Sequence, residues 1–245
     1  MCGIAGYSLS PESSVNRTLS AQALLAGIAE RGADAVGYAY RGAGHAVTVH
    51  KRRSGASALL DELHVPGDAA QALVHVRDYT KGHPTIEANN HPIRHGAVVG
   101  IHNGIIVNDE EIFALAEHSD SSSESLEELY GAMASGWLDE RTPSTLYLAR
   151  AVGRPLWTGT GGKELFFAST RDALEVVEKT LRLTLRKREV DEGTLLQIEA
   201  GRIARSERFQ PNRSYVEETV LPAVRAPQEG VSCLRQLAAI ALAAA

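Results

Sequence analysis

Aromatic side chains are scarce in this 245-residue chain, at 5% of positions, and basic charge is not in excess, with 25 Lys and Arg against 30 Asp and Glu. Nucleic-acid binders draw on basic surfaces and stacking rings, so both shortages point away from a nucleic-acid partner. Cysteine occurs only twice, as Cys2 and Cys233. Two thiols at opposite ends suit neither a disulfide framework nor a Cys-ligated zinc site, and a reducing, cytoplasmic setting is expected. The longest apolar run, at 237–245, is too short to span a bilayer. No basic segment followed by an apolar one opens the chain, so no secretory signal is expected. Glycine-rich phosphate-binding motifs are missing as well, and Gly159-Thr-Gly-Gly162 reads as a turn. What remains is ordinary globular composition, 44% hydrophobic and 22% charged, in a chain long enough to bury a substantial core.

Periodicity predicts a strand at Cys2–Leu9, stopped before Pro11, then an amphipathic helix at Thr18–Glu30 carrying Ala21, Leu24, Leu25 and Ile28 on one face. Val36–Arg41 and Ala46–Arg52 read as a strand pair, Ser57–Leu63 as a short helix, Ala72–Val76 as a buried strand, and Val98–His102 as a strand ending at Asn103-Gly104. Between the last two lies a long stretch, Arg77–Gly96, rich in His, Asn and Pro; loops of that length inside a domain are commonly functional. Capping-box patterns at Asn108–Glu111 and Ser125–Glu128 predict two helices, the second carrying Leu126, Leu129, Tyr130 and Met133. Thr145–Val152, Pro155–Thr158 and Leu165–Ala168 read as strands, Thr170 as the cap of a helix to about Glu178, and Leu181–Val190 and Leu195–Glu199 as further strands. Hairpin-like runs rather than strict βαβ alternation predict antiparallel sheets covered by helices. From about Ser206 the composition shifts. We expect a domain at 1–205 and a linker or arm at 206–245 with an apolar tail.

Cys2 is the residue of chemical interest. A thiolate is the reactive form of cysteine and needs a base or a lowered pKa. An α-amino group has a pKa of about 7.7–8.0, near enough to neutral to accept a proton. With Met1 removed, one residue would supply nucleophile and base together, with no histidine partner required. The competing reading of Cys2 is a small buried hydrophobe at the start of a strand. The metal alternative is poor: His91 and His95 have ligand-like spacing, but Pro92 between them spoils helical presentation.

MCGIAGY at the N-terminus resembles the opening of the class II glutamine amidotransferases, an N-terminal-nucleophile family. So do Arg31-Gly-Ala-Asp-Ala-Val-Gly37, His75-Val-Arg-Asp-Tyr-Thr80, Asn89-Asn-His-Pro92 and Ile101-His-Asn-Gly-Ile-Ile-Val-Asn108. Leu148-Ala-Arg150 with Pro155-Leu156, Phe167-Ala-Ser169 and Glu192-Gly193 continue the family order. The glutaminase domain of glucosamine-6-phosphate synthase is among the proteins resembled. The resemblance implies an α+β, four-layer αββα sandwich of two mainly antiparallel sheets, of the N-terminal-nucleophile hydrolase kind. It implies that Cys2 attacks the side-chain amide of glutamine, with the Asn103 side chain and the Gly104 N–H as oxyanion donors. Arg77 would pair with the α-carboxylate of glutamine, with Thr80 adding a hydroxyl. His102, Arg31, Asn89 and His91 would line the site.

Three positions depart from the family pattern. Asp78 stands where an aromatic is usual, Lys81 where a His or small residue is common, and Ser122 where the family has an acid for the substrate's ammonium. Asp120 could serve in its place. The expected activity is that of a stand-alone glutaminase passing ammonia to a separate synthase protein, without cofactor or metal; homo-oligomerisation is left open. Two alternatives stay open from the residues: a weakly active or inert regulatory module of this fold, and a hydrolase of another γ-glutamyl or amide compound.

Overall fold

The computed structural model describes residues 2–42, 44–79, 82–108, 122–216 and 226–243, with backbone alone at 122–124. Two antiparallel sheets lie face to face. The first contains β1 (Gly3–Leu9), β2 (Ala35–Arg41), β3 (Val47–Arg52), β4 (Gln71–Arg77), β9 (Trp157–Thr160), β10 (Glu164–Ala168) and β11 (Arg186–Glu189), in the order β11-β9-β10-β1-β4-β2-β3. The second contains β5 (Ile93–His95), β6 (Val98–Ile106), β7 (Gly131–Asp139), β8 (Thr145–Arg150), β12 (Thr194–Glu199) and β13 (Arg202–Arg208), in the order β13-β12-β8-β7-β6-β5.

Strand alternation divides the side chains between layers. From the first sheet, Ala5, Tyr7, Val36, Tyr38, Ala72, Val74, Val76, Phe166 and Ala168 join a core beneath the helices. Ile4, Ala39, Leu73, Leu165 and Phe167 turn the other way and meet Val99, Ile101, Ala134, Leu138, Leu146 and Leu148 between the sheets. The outer layer on the first sheet consists of α1 (Arg17–Ile28), α3 (Arg171–Leu181) and α4 (Pro227–Ala243), with α1 in contact with the other two. Asn16 caps α1 by accepting from the Leu19 N–H at 2.9 Å, and Thr170 caps α3 by accepting from Ala173 N–H at 3.3 Å. Each satisfies one of the amide donors a helix start leaves open. Outside the second sheet, α2 (Ser122–Glu127) sets Leu126 against Met133, Ala149 and Leu195, completing the helix–sheet–sheet–helix order.

Several expectations need correction. The run Leu126, Leu129, Tyr130, Met133 has helical spacing, yet α2 ends at Glu127 and Gly131–Asp139 is the central strand β7, hydrogen-bonded to β6 and β8 on its two sides. Pairing with a strand on each side overrides the local pattern. Asn103-Gly104 does not end its strand; β6 continues to Ile106. Ser57–Leu63 contains no α-helix, only a single 3-10 turn at Ala56–Ala58, and the strand expected at Leu181–Val190 is confined to Arg186–Glu189, because α3 runs on to Leu181. The helix expected after Asn108 lies outside the described residues. Past residue 205, β13 continues to Arg208, and α4 turns Cys233 and Leu237 into the core against α1.

At one end of the sandwich the Arg41 guanidinium ties the sheets together. It donates to Gln71 Oε1 at 2.8 Å on the first sheet and to the carbonyls of Asp139, Pro143 and Thr145, at 2.6, 2.5 and 3.2 Å, on the second. The middle of the seam is apolar, and the fully buried Phe167 ring lies against Gly6 of its own sheet and Gly136 of the facing one. Phe167→Ala should therefore cost about 3–5 kcal/mol of stability, the range for truncating a buried ring in a core that relaxes little. Urea denaturation checks this; a loss below about 1 kcal/mol would mean that the ring does not hold the sheets together.

Candidate active site

At the end of the sandwich away from Arg41, the inward-facing positions of β4 and β6 change from apolar to polar. On β4 the series Leu73, His75, Arg77 shares one face, and on β6 so does Val99, Ile101, Asn103. His75, Arg77 and Asn103 are 0%, 5% and 1% exposed. Buried polar side chains at that density need partners or a function.

Cys2 joins them through strand register. β1 pairs with β4 so that Gly3 faces Val76, which puts Cys2 beside Arg77. The Cys2 Sγ lies 3.5 Å from the carbonyl oxygen of Asp78 and is half-buried. Burial pushes the Cys2 thiol up from its usual value, and the nearby Arg77 charge pulls in the opposite direction. Arg31, just beyond α1, donates its Nε–H to the Cys2 carbonyl at 2.9 Å and so ties down the backbone behind the thiol. The Arg77 guanidinium donates to Asn90 Oδ1 at 2.5 Å and to the Gly82 carbonyl. Asn90 in turn donates to the Pro84 carbonyl at 2.8 Å. The polar loop after β4 is thereby folded around the arginine.

Asn103 has a different character. Both its amide nitrogen and its amide oxygen are buried and have no hydrogen-bond partner among the described residues. A buried amide in that condition costs about 1–3 kcal/mol. Gly104 beside it has φ +129°, and a Cβ there would lie 1.8 Å from the Ala132 carbonyl oxygen. Only glycine fits that backbone against β7. Asn103-Gly104 is thus an irregular strand segment carrying an uncommitted amide.

Three histidines cluster at the same end of the seam. The His75 and His91 rings stack with centroids 4.3 Å apart, and His91 meets His102 edge-on at 4.4 Å. His75 Nε2 lies 3.2 Å from the His102 carbonyl oxygen, linking β4 to β6. Burial, reinforced by the neighbouring His102, lowers the His75 pKa to about 3, and burial holds His91 well below its ordinary value. Among the described residues no group of three or more His, Cys, Asp or Glu side chains is placed to hold a metal.

The structure therefore places Cys2, Arg77, His91, His102, Asn103 and Gly104 at one end of the seam, with Arg31 behind Cys2 on the helix side of the first sheet. Asn89 is half-buried and donates to the His83 carbonyl at 3.2 Å, so it holds the loop. Thr80 and Asp120 fall outside the described residues, and Ser122 is described in backbone alone. Sequence reasoning passed over Asn90, which supports Arg77, and gave His75 no role. The Asn89-Asn90 pair offers two adjacent amides, and only the loop's path selects between them.

No family model matches the chain. It is 32% identical over 232 residues to a glutamine–fructose-6-phosphate aminotransferase [isomerizing] of Aliivibrio fischeri, covering 81% of this chain and 35% of that protein. A Vibrio parahaemolyticus protein of the same description is 29% identical over 235 residues, with the same coverage of each. The chain thus spans about a third of the length of these curated relatives. Among solved structures, a glutamine phosphoribosylpyrophosphate amidotransferase from B. subtilis, complexed with ADP and GMP, superposes with a TM-score of 0.63 at 24% identity, covering 86% of this chain and 50% of that one. A glutamine aminotransferase class-II domain protein from Silicibacter pomeroyi superposes at 0.50 with 17% identity, over 86% of this chain and all of that one. At these identities the two superpositions speak to the fold.

The buried histidines make stability depend on pH. Below the ordinary value of 6.5 the unfolded chain takes up a proton at His75 that the folded state refuses until about pH 3. Stability should therefore fall as pH falls through that window, by about 1.4 kcal/mol per pH unit from His75, with His91 acting in the same direction. Urea midpoints at about pH 7 and about pH 5 test this, before most carboxylates titrate. Equal midpoints would contradict the buried, neutral assignment.

Proposed function

We propose that this chain, which has the fold of the class II glutamine amidotransferases and resembles their glutaminase domains in sequence, hydrolyses the side-chain amide of glutamine through Cys2. What supports this reading is a half-buried thiol, a buried arginine and an asparagine amide without a hydrogen-bond partner among the described residues, all on or next to strands at the end of the seam away from Arg41. A nucleophile, a carboxylate receptor and an oxyanion donor are the parts acyl transfer from an amino-acid amide requires.

Burial favours the uncharged thiol at rest, so a base must act when substrate arrives. With Met1 removed, the α-amine of Cys2 takes the thiol proton. Sulfur attacks the side-chain carbonyl carbon of glutamine, and the carbonyl electrons move onto oxygen. The Asn103 amide N–H and the Gly104 backbone N–H hold that oxyanion. The C–N bond breaks, the nitrogen collects the proton from the amine, and ammonia leaves behind a γ-glutamyl thioester. Water, deprotonated by the same amine, cleaves the thioester to glutamate and restores the thiol. Arg77, with Thr80, receives the α-carboxylate in a charge-assisted hydrogen-bonded pair, and Ser122 or Asp120 receives the α-ammonium. The ammonia passes to a synthase, which we take to be a separate protein. No described helix is long and apolar enough to cross a membrane.

Purified protein incubated with glutamine should release glutamate and ammonia in equal amounts, and Cys2→Ala should release neither. Asn103→Ala should lower kcat by about 100- to 1,000-fold, the cost of one oxyanion donor, with a smaller change in KM. Covalent capture of Cys2 by a glutamine-like diazoketone without turnover would point to an enzyme gated by its partner. Neither turnover nor capture would favour a regulatory module and end the catalytic reading.

A further inference from the structure

The His75–His102 contact joins the two sheets directly beside both halves of the proposed site. The acceptor is the carbonyl of the peptide that links His102 to Asn103. A carbonyl only accepts, so the His75 Nε2 must carry the proton and donate it. Holding that peptide plane fixes the Cα from which the Asn103 side chain projects, and it restrains the approach to Gly104. His75 itself sits two residues before Arg77 on the same face of β4. The bond therefore spans from the strand carrying the carboxylate receptor to the strand carrying the oxyanion donors.

The rest of the cluster holds His75 in that orientation. The His91 ring stacks on it and abuts His102. The His91 backbone is pressed onto β2 at Gly37, where an added Cβ would lie 2.3 Å from the His91 carbonyl oxygen. His75 is 0% exposed and His91 6%, so the rings have little room to rotate, and burial keeps them neutral. The Asn103 amide has no partner among the described residues, so none of their hydrogen bonds holds its direction. Its aim comes from the backbone that carries it.

We propose that His75 is a positioning residue for the oxyanion donors, acting through the hydrogen bond from its Nε2–H to the His102 carbonyl. The proposal rests on the glutaminase reading and adds to it a residue that never touches substrate. A donor displaced by about 1 Å can cost about 100-fold in rate, whereas ground-state binding at Arg77 is left intact.

Two substitutions of similar polarity separate positioning from bulk. In His75→Gln the side-chain nitrogen reaches the place of Nε2, whereas in His75→Asn it reaches only the place of Nδ1. We expect H75Q to keep kcat within about threefold of wild type and H75N to lose about tenfold or more, with KM for glutamine within about twofold in both. Iodoacetamide should label Cys2 at the same rate in all three proteins, since alkylation needs no oxyanion donor. Equal kcat in H75Q and H75N, or a loss carried by KM, would overturn the proposal. Long-range proton–nitrogen spectra of the wild-type protein add a test that needs no variant: His75 should be neutral and protonated at Nε2, and an Nδ1 tautomer would overturn it. If wild-type protein turns over no glutamine, the functional reading fails separately. Crystal structures of wild type and H75N then decide the positioning claim, which an unmoved Asn103 side chain would overturn.

Discussion

The register between β1 and β4 is the constraint on which the site depends. Gly3 opposite Val76 sets Cys2 beside the last residue of β4. Strand side chains alternate faces, so a slip of one position would send His75 and Arg77 under the helices and Val76 into the seam. The apolar alternation of both strands forbids that slip. Ala72, Val74 and Val76 belong beneath α1, and Leu73 belongs against the second sheet. Burial of ordinary aliphatic side chains thus determines where a thiol and a guanidinium meet.

The seam between the sheets has a distinct character along its length. Its middle is dry and filled by Ile4, Leu73, Phe167, Ile101 and Leu138. One end is closed by Arg41, whose hydrogen bonds to the turn after β7 are structural. At the other end, Arg77 is bonded into the loop after β4, and the Asn103 amide has no hydrogen-bond partner among the described residues. The two ends use similar residue types to different effect. Arg41 is committed to backbone carbonyls of the partner sheet, whereas Arg77 is held by a loop side chain and a loop carbonyl. Loops can move while a rigid scaffold stays in place, which suits the carboxylate-receptor role proposed for Arg77.

Neutrality is the second theme of that end. Burial raises the Cys2 thiol and lowers His75 and His91, so each of these groups favours its uncharged form. Arg77 keeps its charge despite the same burial, which lowers its pKa only from a very high starting value. A fixed cation beside neutral polar groups, in a medium where charges are weakly screened, is what the carboxylate-receptor role proposed for Arg77 requires. The imidazoles, being uncharged, do not compete for it.

Much of this is legible in the sequence alone. Cys2–Leu9, Thr18–Glu30, Val36–Arg41, Ala72–Val76 and Leu195–Glu199 carry clear local periods, and the structure has elements at all five. The Asn103-Gly104 pair, the His75–Thr80 segment and Cys2 stand out from side-chain chemistry and from the family they resemble. The strand β7 was not legible, because Gly131–Asp139 is rich in small residues and its leading Met133 continues a helical spacing from Leu126. Its strand identity comes from β6 and β8 on its two sides. The choice of Asn90 over Asn89 beneath Arg77, and the ring of histidines that reaches from β4 to β6, were equally hidden. The sequence by itself determined which residues could do chemistry and which faces of its segments were apolar, because both are properties of side chains and of their local spacing. Only the tertiary structure decided which of those residues meet, because register between strands distant in the chain and the path of a loop follow from contacts that no local window contains.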